Sequence, residues 1–198
     1  MTLEAGDFVW AFDGRDGRGD GLAALLGFYL MQLRELLPPA SDDPFEQIAA
    51  DFADDPTARM QDQPRFSRLY PPAYRDDQAS DDFWRDSIAD QTRARVEAAE
   101  TVLTDLASWE GYVPVAFGRV EDWAKTLGGL RVFWYSELAG PDRLAQPSPT
   151  ALVKNARLVD LVEWLGFVLE DLLESREACL NASECLDPDQ FVRAARQQ

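Results

Sequence analysis

The chain has 198 residues, the length of one domain, and 46% of them are hydrophobic, which is enough for a sizeable core. Its 19 basic and 36 acidic residues give a net charge of −17, which opposes charge-driven binding to nucleic acid because phosphates would be repelled. The chain contains no histidine, so histidine-dependent nucleophiles, histidine metal ligands and a histidine pH switch are excluded.

Neither a signal peptide nor a membrane span is expected. The first residues lack the basic stretch followed by an apolar segment that forms a secretory signal. The most apolar window, residues 22–31, is shorter than the roughly 20 residues that cross a bilayer. We therefore expect a cytoplasmic chain without membrane contact. Its two cysteines, Cys179 and Cys185, are too few for a secreted disulfide framework.

Helical periodicity dominates the chain. Asp81 and Asp82 suit a helix N-terminus, Ser148 and Pro149 suit another, and Pro114 places its strand at a sheet edge. The predicted elements are a strand at 8–12, a loop at 13–21, a helix at 22–37, a short helix near 45–52, an irregular stretch at 64–74, a helix at 81–108, a strand at 113–117, a helix at 119–138, a helix from 149 and a short helix after 187.

These elements predict a mainly α fold, a bundle of four to six helices with a minor two-stranded β-sheet. The strands at 8–12 and 113–117 are expected to pair with each other. We expect a single α-helical domain over residues 1–198, in which residues 176–198 form a C-terminal tail that carries both cysteines.

The glycine- and aspartate-rich loop at 13–21 suggests a phosphate or calcium site, but its pattern fits neither. The dinucleotide-binding spacing lacks its second strand, no Gly-Lys-Ser/Thr follows, and Asp13, Asp16 and Asp20 would repel a phosphate. Counted from Asp13, the third, fifth and twelfth positions of a calcium loop hold no carboxylate. We therefore expect a solvated turn, with no bound cofactor and no metal.

Paired carboxylates are too frequent in this sequence to single out a catalytic pair. Asp42–Asp43 and Asp81–Asp82 have the positions of surface or capping charges. General acid–base chemistry needs one carboxyl whose pKa is raised by burial, which sequence does not reveal. We expect no catalytic residue and no enzymatic activity, with a carboxylate-dependent enzyme as an alternative.

The spacing of Cys179 and Cys185 makes a testable prediction. Six residues of continuous helix correspond to about 9 Å of rise and about 600° of turn, which is too far for a disulfide. A redox pair therefore requires the helix to end between the two cysteines, and residues 181–183 are suited to that break. The alternative is that both are ordinary small apolar residues.

One cluster of basic and aromatic residues stands out in this acidic chain. It consists of Arg65, Arg68, Tyr70, Tyr74 and Arg75, residue types that anchor protein interfaces. We predict the first four as partner-binding residues. The alternative is a loop attached to the body of the protein by salt bridges to aspartates and by burial of the rings.

Four stretches in order carry a resemblance to a known family. They are Arg68-Leu69-Tyr70-Pro71-Pro72-Ala73-Tyr74, Phe83-Trp84-Arg85 with Asp90 and Arg93, Trp123-Ala124-Lys125-Thr126-Leu127 with Leu130-Arg131-Val132, and Leu161-Val162-Glu163-Trp164-Leu165-Gly166-Phe167. The chain resembles an actinobacterial domain-of-unknown-function family that includes the actinomycete oxidative stress regulator. Gly128-Gly129 stand where an Asn-Asp pair is usual in that family.

The resemblance implies a helical cytoplasmic protein without known catalytic residues, which controls transcription in oxidative stress through cysteine oxidation and contact with a sigma factor. On this view Cys179 and Cys185 are the redox residues. Family genes near the adaptor of the Clp protease imply the alternative, a constitutive adaptor module with inert cysteines. In either case we expect a protein partner and no direct binding to nucleic acid.

Overall fold

The structure, a computed structural model, describes residues 3–38, 41–53, 64–71, 73–140 and 145–194. It divides into two compact units. The first consists of residues 1–29, 97–130 and 163–198, and the second of residues 30–96 and 131–162. A single domain over the whole chain stays a prediction.

The described elements confirm a mainly α fold with a minor β component. In chain order they are β1 (Phe8–Asp13), α1 (Arg18–Arg34), α2 (Pro44–Ala53), α3 (Asp77–Ser108), β2 (Trp109–Glu110), β3 (Tyr112–Ala116), α4 (Val120–Ala139), α5 (Pro149–Lys154), α6 (Ala156–Ala182) and β4 (Val192–Arg193), with 3-10 turns at Pro64–Phe66, Phe117–Arg119 and Pro188–Gln190.

In the first unit, β1 and β3 form the predicted antiparallel pair. Phe12 lies opposite Val113, and Pro114 lies opposite Ala11 in a two-stranded sheet, so its missing N–H falls at an edge as predicted. The register shifts between Phe8 and Trp10, because the strand bulges there.

Aromatic side chains of β1, α4 and α6 form the core of the first unit. The ring centroids of Trp10 and Trp123 are 5.5 Å apart, and those of Phe12 and Trp164 are 6.3 Å apart. The Trp10 indole donates to Asp171 Oδ2 at 2.7 Å. The Trp10 ring is therefore buried while its polar edge reaches the exposed carboxylate of Asp171.

The second unit packs around Phe66, Tyr70 and Phe133. The centroids of Phe66 and Phe133 are 5.9 Å apart, and all three side chains are almost completely buried. Tyr70 extends its hydroxyl to Thr92 Oγ1 at 2.8 Å, so the polar end of this buried ring is satisfied. The irregular stretch before α3 is thereby fixed to the helices of its own unit.

Several predicted helix boundaries were wrong. Helix α1 spans Arg18–Arg34, whereas 22–37 was predicted. Helix α3 begins at Asp77, not at Asp81, because Asp76 is its N-cap and accepts the amide of Ala79 with Oδ1 at 2.8 Å. The helix predicted from 149 divides at Asn155, whose side-chain amide donates to Ala151 O. The final helix is a single 3-10 turn at Pro188–Gln190, and the strands β2 and β4 were not predicted.

No helix within the described ranges combines the length and the hydrophobicity that crossing a bilayer requires.

Candidate functional site

Helix α6 ends at Ala182, between the two cysteines, which is the condition that a disulfide between them would need. The amide of Glu184 donates to Cys179 O at 3.1 Å, and the amide of Ser183 donates to Leu180 O at 3.3 Å. Ser183 has φ 55°, the left-handed conformation that ends a helix in the Schellman motif. The chain reverses at Ser183, so Cys185 follows the end of the helix that carries Cys179.

The carbonyl oxygen of Val9 anchors this end of α6 to β1. Val9 has no partner residue on β3, because it lies in the bulge. Its oxygen accepts the Ser175 hydroxyl at 2.7 Å and the Cys179 thiol at 3.5 Å. Ser175 and Cys179 are one turn apart and share a helix face. The bulge therefore supplies the acceptor that holds Cys179 in place.

The two thiols differ in exposure and both are free. Cys179 is half-buried, whereas Cys185 is exposed. Burial raises the pKa of the Cys179 thiol, and the neighbouring Cys185 and Glu184 raise it further because a second negative charge there is unfavourable. Cys185 is therefore the thiol that an oxidant in solution meets first, and Cys179 is the shielded one.

Residues 183–194 form a segment that lies along the first unit, and we call it the C-terminal strap. Its Leu186 amide donates to Phe8 O at 2.7 Å, and its Ala194 amide donates to Ser108 O at 3.0 Å. Between these two bonds, β4 pairs antiparallel with β2. The strap is thus attached by backbone hydrogen bonds at both ends.

An aromatic cluster holds the strap against the strands. The ring of Phe191 lies edge-on to those of Phe8 and Trp109, with centroids at 5.7 and 6.3 Å. Phe8 and Trp109 are themselves 5.8 Å apart. The guanidinium of Arg193 lies 4.1 Å from the centroid of Trp109, in a cation–π contact. Sequence reasoning missed this cluster, because a two-residue strand leaves no readable alternation.

The four predicted partner-binding residues lie in the second unit. Arg65 pairs with Glu137 at 3.0 Å and lies over the ring of Phe133. Arg68 donates to Ala145 O at 2.9 Å. These contacts match the alternative of a loop attached to the body of the protein, with a glutamate where an aspartate was expected.

The two tyrosines of that cluster differ. Tyr70 is 1% exposed and Arg95 lies over its ring. Tyr74 is 57% exposed and packs edge-on against Phe83. Of the predicted four, Tyr74 is therefore the side chain that offers a ring to the solvent.

The predicted loop at 13–21 is shorter in the structure: β1 ends at Asp13, α1 begins at Arg18, and residues 14–17 form a self-contained turn. Asp13 accepts Arg15 Nε at 2.8 Å and Arg18 Nη2 at 2.6 Å, and the hydrogen bond from Arg15 lowers the pKa of Asp13 to about 2. A Cβ on Gly14 would lie 2.9 Å from Gly111 O, so glycine is needed where the two turns meet. Over the described parts of the chain, no three potential ligands converge as a metal site.

An open cleft of about 530 Å³ lies beside this loop. Among the described residues that line it, Asp20 is the one with an ionisable side chain, and the others are Gly14, Gly19, Ala23, Leu103, Leu106, Ala107, Trp109, Gly111 and Val113. A single carboxylate at the rim of an apolar cleft forms no acid–base pair.

Asp105 is a carboxyl group that sequence reasoning did not single out. Burial raises its pKa, and a hydrogen bond from the Trp123 indole at 2.9 Å opposes that rise. The helical period of α3 places this position on the apolar face beside Val102 and Leu106, which is the signal that identifies it. Its contacts are those of a carboxylate that satisfies a buried indole.

Fold and site together define a mainly α protein with two small strand pairs and a C-terminal strap. The chain belongs to a family described as a domain of unknown function (DUF2017), whose model matches residues 4–175. The matched range includes Phe8 and Trp109 but ends before Cys179 and Cys185. No curated protein and no solved structure matches the chain.

Proposed function

We propose that this chain is a non-enzymatic cytoplasmic regulatory protein that acts through contact with another protein, with Cys179 and Cys185 as a redox switch. One observation carries the switch. The helix that bears Cys179 ends in a turn at Ser183, and Cys185 lies two residues beyond that turn, outside the helix. Burial, and after it the nearby Cys185, raises the pKa of the Cys179 thiol.

The switch uses hydrogen peroxide as the oxidant. The thiolate of the exposed Cys185 attacks one peroxide oxygen, the O–O bond breaks, and a sulfenic acid and water result. The thiolate of Cys179 then attacks that sulfur, the S–S bond forms, and the hydroxyl leaves as a second water. The two thiols together lose two electrons and two protons, and the peroxide is reduced to two water molecules.

Oxidation would re-order the tail for two reasons. A disulfide removes the S–H donor of Cys179, so the hydrogen bond to Val9 O is lost. A disulfide would also tie Cys185 to α6. The next residue, Leu186, is bound elsewhere, because its amide donates to Phe8 O at 2.7 Å, so the two restraints compete at adjacent residues. The strap is therefore the element that responds to the switch.

The kind of partner follows from charge and from resemblance. A chain of net charge −17 favours a protein partner over direct contact with DNA. The resemblance to actinobacterial proteins of oxidative-stress control supports a role in transcription, with a sigma factor as the partner.

Peroxide treatment followed by intact-mass analysis without reductant tests the switch. The monomer is expected to lose the mass of two hydrogens and to regain it on reduction. Cys179→Ser and Cys185→Ser are matched controls that each retain one thiol and cannot close the ring. An unchanged monomer mass, or oxidation only to intermolecular dimers, would contradict the switch.

The exposed ring of Tyr74 favours a second candidate, a constitutive adaptor linked to Clp proteolysis. In that function the cysteines are inert and the surface of Tyr74 and Phe83 makes the contact. Tyr74→Ala is expected to weaken capture of the purified Clp adaptor, whereas Tyr112→Ala, a change to a 40% exposed tyrosine of the first unit, is not. Equal capture by both variants would remove this candidate.

A further inference from the structure

We propose that the edge of β2, together with the rings of Phe8 and Trp109, is a docking site for an extended segment of a partner protein. That segment presents an aromatic residue followed, two positions later, by an arginine. In this chain the C-terminal strap fills the site with Phe191 and Arg193.

The strap displays the chemistry that the site accepts. Residues two apart in a strand point to the same side, and both Phe191 and Arg193 contact the ring of Trp109. Val192, between them, is 60% exposed and adds little to recognition. The backbone of β2 supplies the ladder, and the aromatic residue and the arginine supply the selectivity, as in strand addition to a sheet edge.

The strap is built to detach more easily than the elements beneath it. None of its residues 183–194 is buried, and β4 pairs with β2 over only two residue positions. Segments with few buried contacts open at low cost while the core stays folded. The surface under the strap therefore becomes accessible without unfolding of the first unit.

Charge favours a partner over the strap. The strap carries Glu184, Asp187 and Asp189, all exposed, on a chain whose net charge is −17. A partner segment with neutral or basic residues at these positions would bring less negative charge to the acidic chain than the strap does. The family match also separates the docking site from the strap, since residues 4–175 include Phe8 and Trp109 but not residues 183–194.

This inference rests on the proposed function only in that both assign a protein partner, and it stands whether or not the cysteines pair. Because the strap is tethered, its effective concentration at the site is high, and a free peptide does not displace it at micromolar concentration. Weakening the anchors of the strap is therefore the way to expose the site.

A labelled peptide of residues 186–194 is the probe, titrated by fluorescence anisotropy under reducing conditions. The protein is the full chain, as wild type and as Phe191→Ala with Arg193→Ala. We expect at least tenfold tighter binding to the double variant, and tighter binding still for a peptide with both aspartates changed to asparagine. The matched control peptide, with alanine for its phenylalanine and arginine, is expected not to bind.

Amide hydrogen exchange of Leu186 and Ala194 reports whether the strap of the double variant is released. Released amides with no peptide binding would overturn the docking site, and so would equal binding of the control peptide. Protected amides in the double variant would overturn it too, because Phe191 and Arg193 would then not be the anchors. A failure of the redox switch changes none of these outcomes, since reductant is present throughout.

Discussion

One backbone oxygen, that of Val9, holds the half-buried thiol in place. It accepts both the Ser175 hydroxyl and the Cys179 thiol, so the sulfur is shielded on one side of α6. Cys185 has left the helix and is exposed. The two cysteines are therefore unequal, although the sequence around them does not reveal it.

Alkylation rates test this inequality. Iodoacetamide is expected to modify Cys185 at least tenfold faster than Cys179, because burial shields Cys179 from the reagent and also raises its pKa, which lowers its thiolate population. Peptide mass spectrometry over a time course measures both rates. In Ser175→Ala the competing hydroxyl is absent, and Cys179 should react no faster. Equal rates at the two sites in the wild type would contradict the described environment.

Asp105 predicts a pH dependence of stability. Its raised pKa means that the folded state binds the proton more tightly than the unfolded state. The free energy of unfolding therefore falls as the pH rises from the ordinary pKa of aspartate through the folded one. Asp105→Asn keeps an oxygen for the Trp123 indole and carries no charge. Urea unfolding at several pH values should show that this fall is reduced, and an unchanged pH profile would refute the assignment.

At the scale of elements, local signals identified most of the fold and contacts between elements supplied the rest. The strands β1 and β3 and the N-cap Ser148 were readable because β-prone runs, prolines and caps act within a few residues. The break at Asn155 and the strand β4 were not. The strand β4 depends on a partner that local sequence does not name, because it pairs with β2.

The candidate site, too, could be predicted only in part from the sequence. A helix end at 181–183 was readable as a suitable break, and helical rise made it a condition for any disulfide between the cysteines. The anchoring of Cys179 by Val9 could not, because it needs a bulge in a distant strand. Tyr70 has a residue type typical of interfaces but is buried, and composition does not distinguish the two cases.

The close approach of the turns at Gly14 and Gly111 predicts a loss of stability when Gly14 is replaced. Gly27 provides a control at which the same change is expected to increase stability. Gly14→Ala places a Cβ 2.9 Å from the carbonyl oxygen of Gly111, and we expect a loss of about 1–3 kcal/mol of stability. Gly27→Ala lies within α1 with nothing within 4 Å of its Cβ, and should gain about 0.5–1 kcal/mol. Urea unfolding measures both, and a neutral Gly14→Ala would contradict the close approach.

For the whole molecule, the net charge of −17 implies self-repulsion in the compact state. Salt at physiological strength shortens the range of that repulsion to about 8 Å. We therefore expect the thermal midpoint to rise between 10 mM and 150 mM NaCl. A midpoint that falls with added salt would mean that attractive ion pairs dominate.

The central claim is that oxidation of the cysteine pair uncovers a surface that binds another protein. The most direct test titrates the labelled 186–194 peptide into the unmodified chain before and after peroxide, with excess peroxide removed. The account predicts saturable binding to the oxidised chain alone and its loss after reduction. Oxidised protein that carries the disulfide yet binds the peptide no better than reduced protein would contradict it.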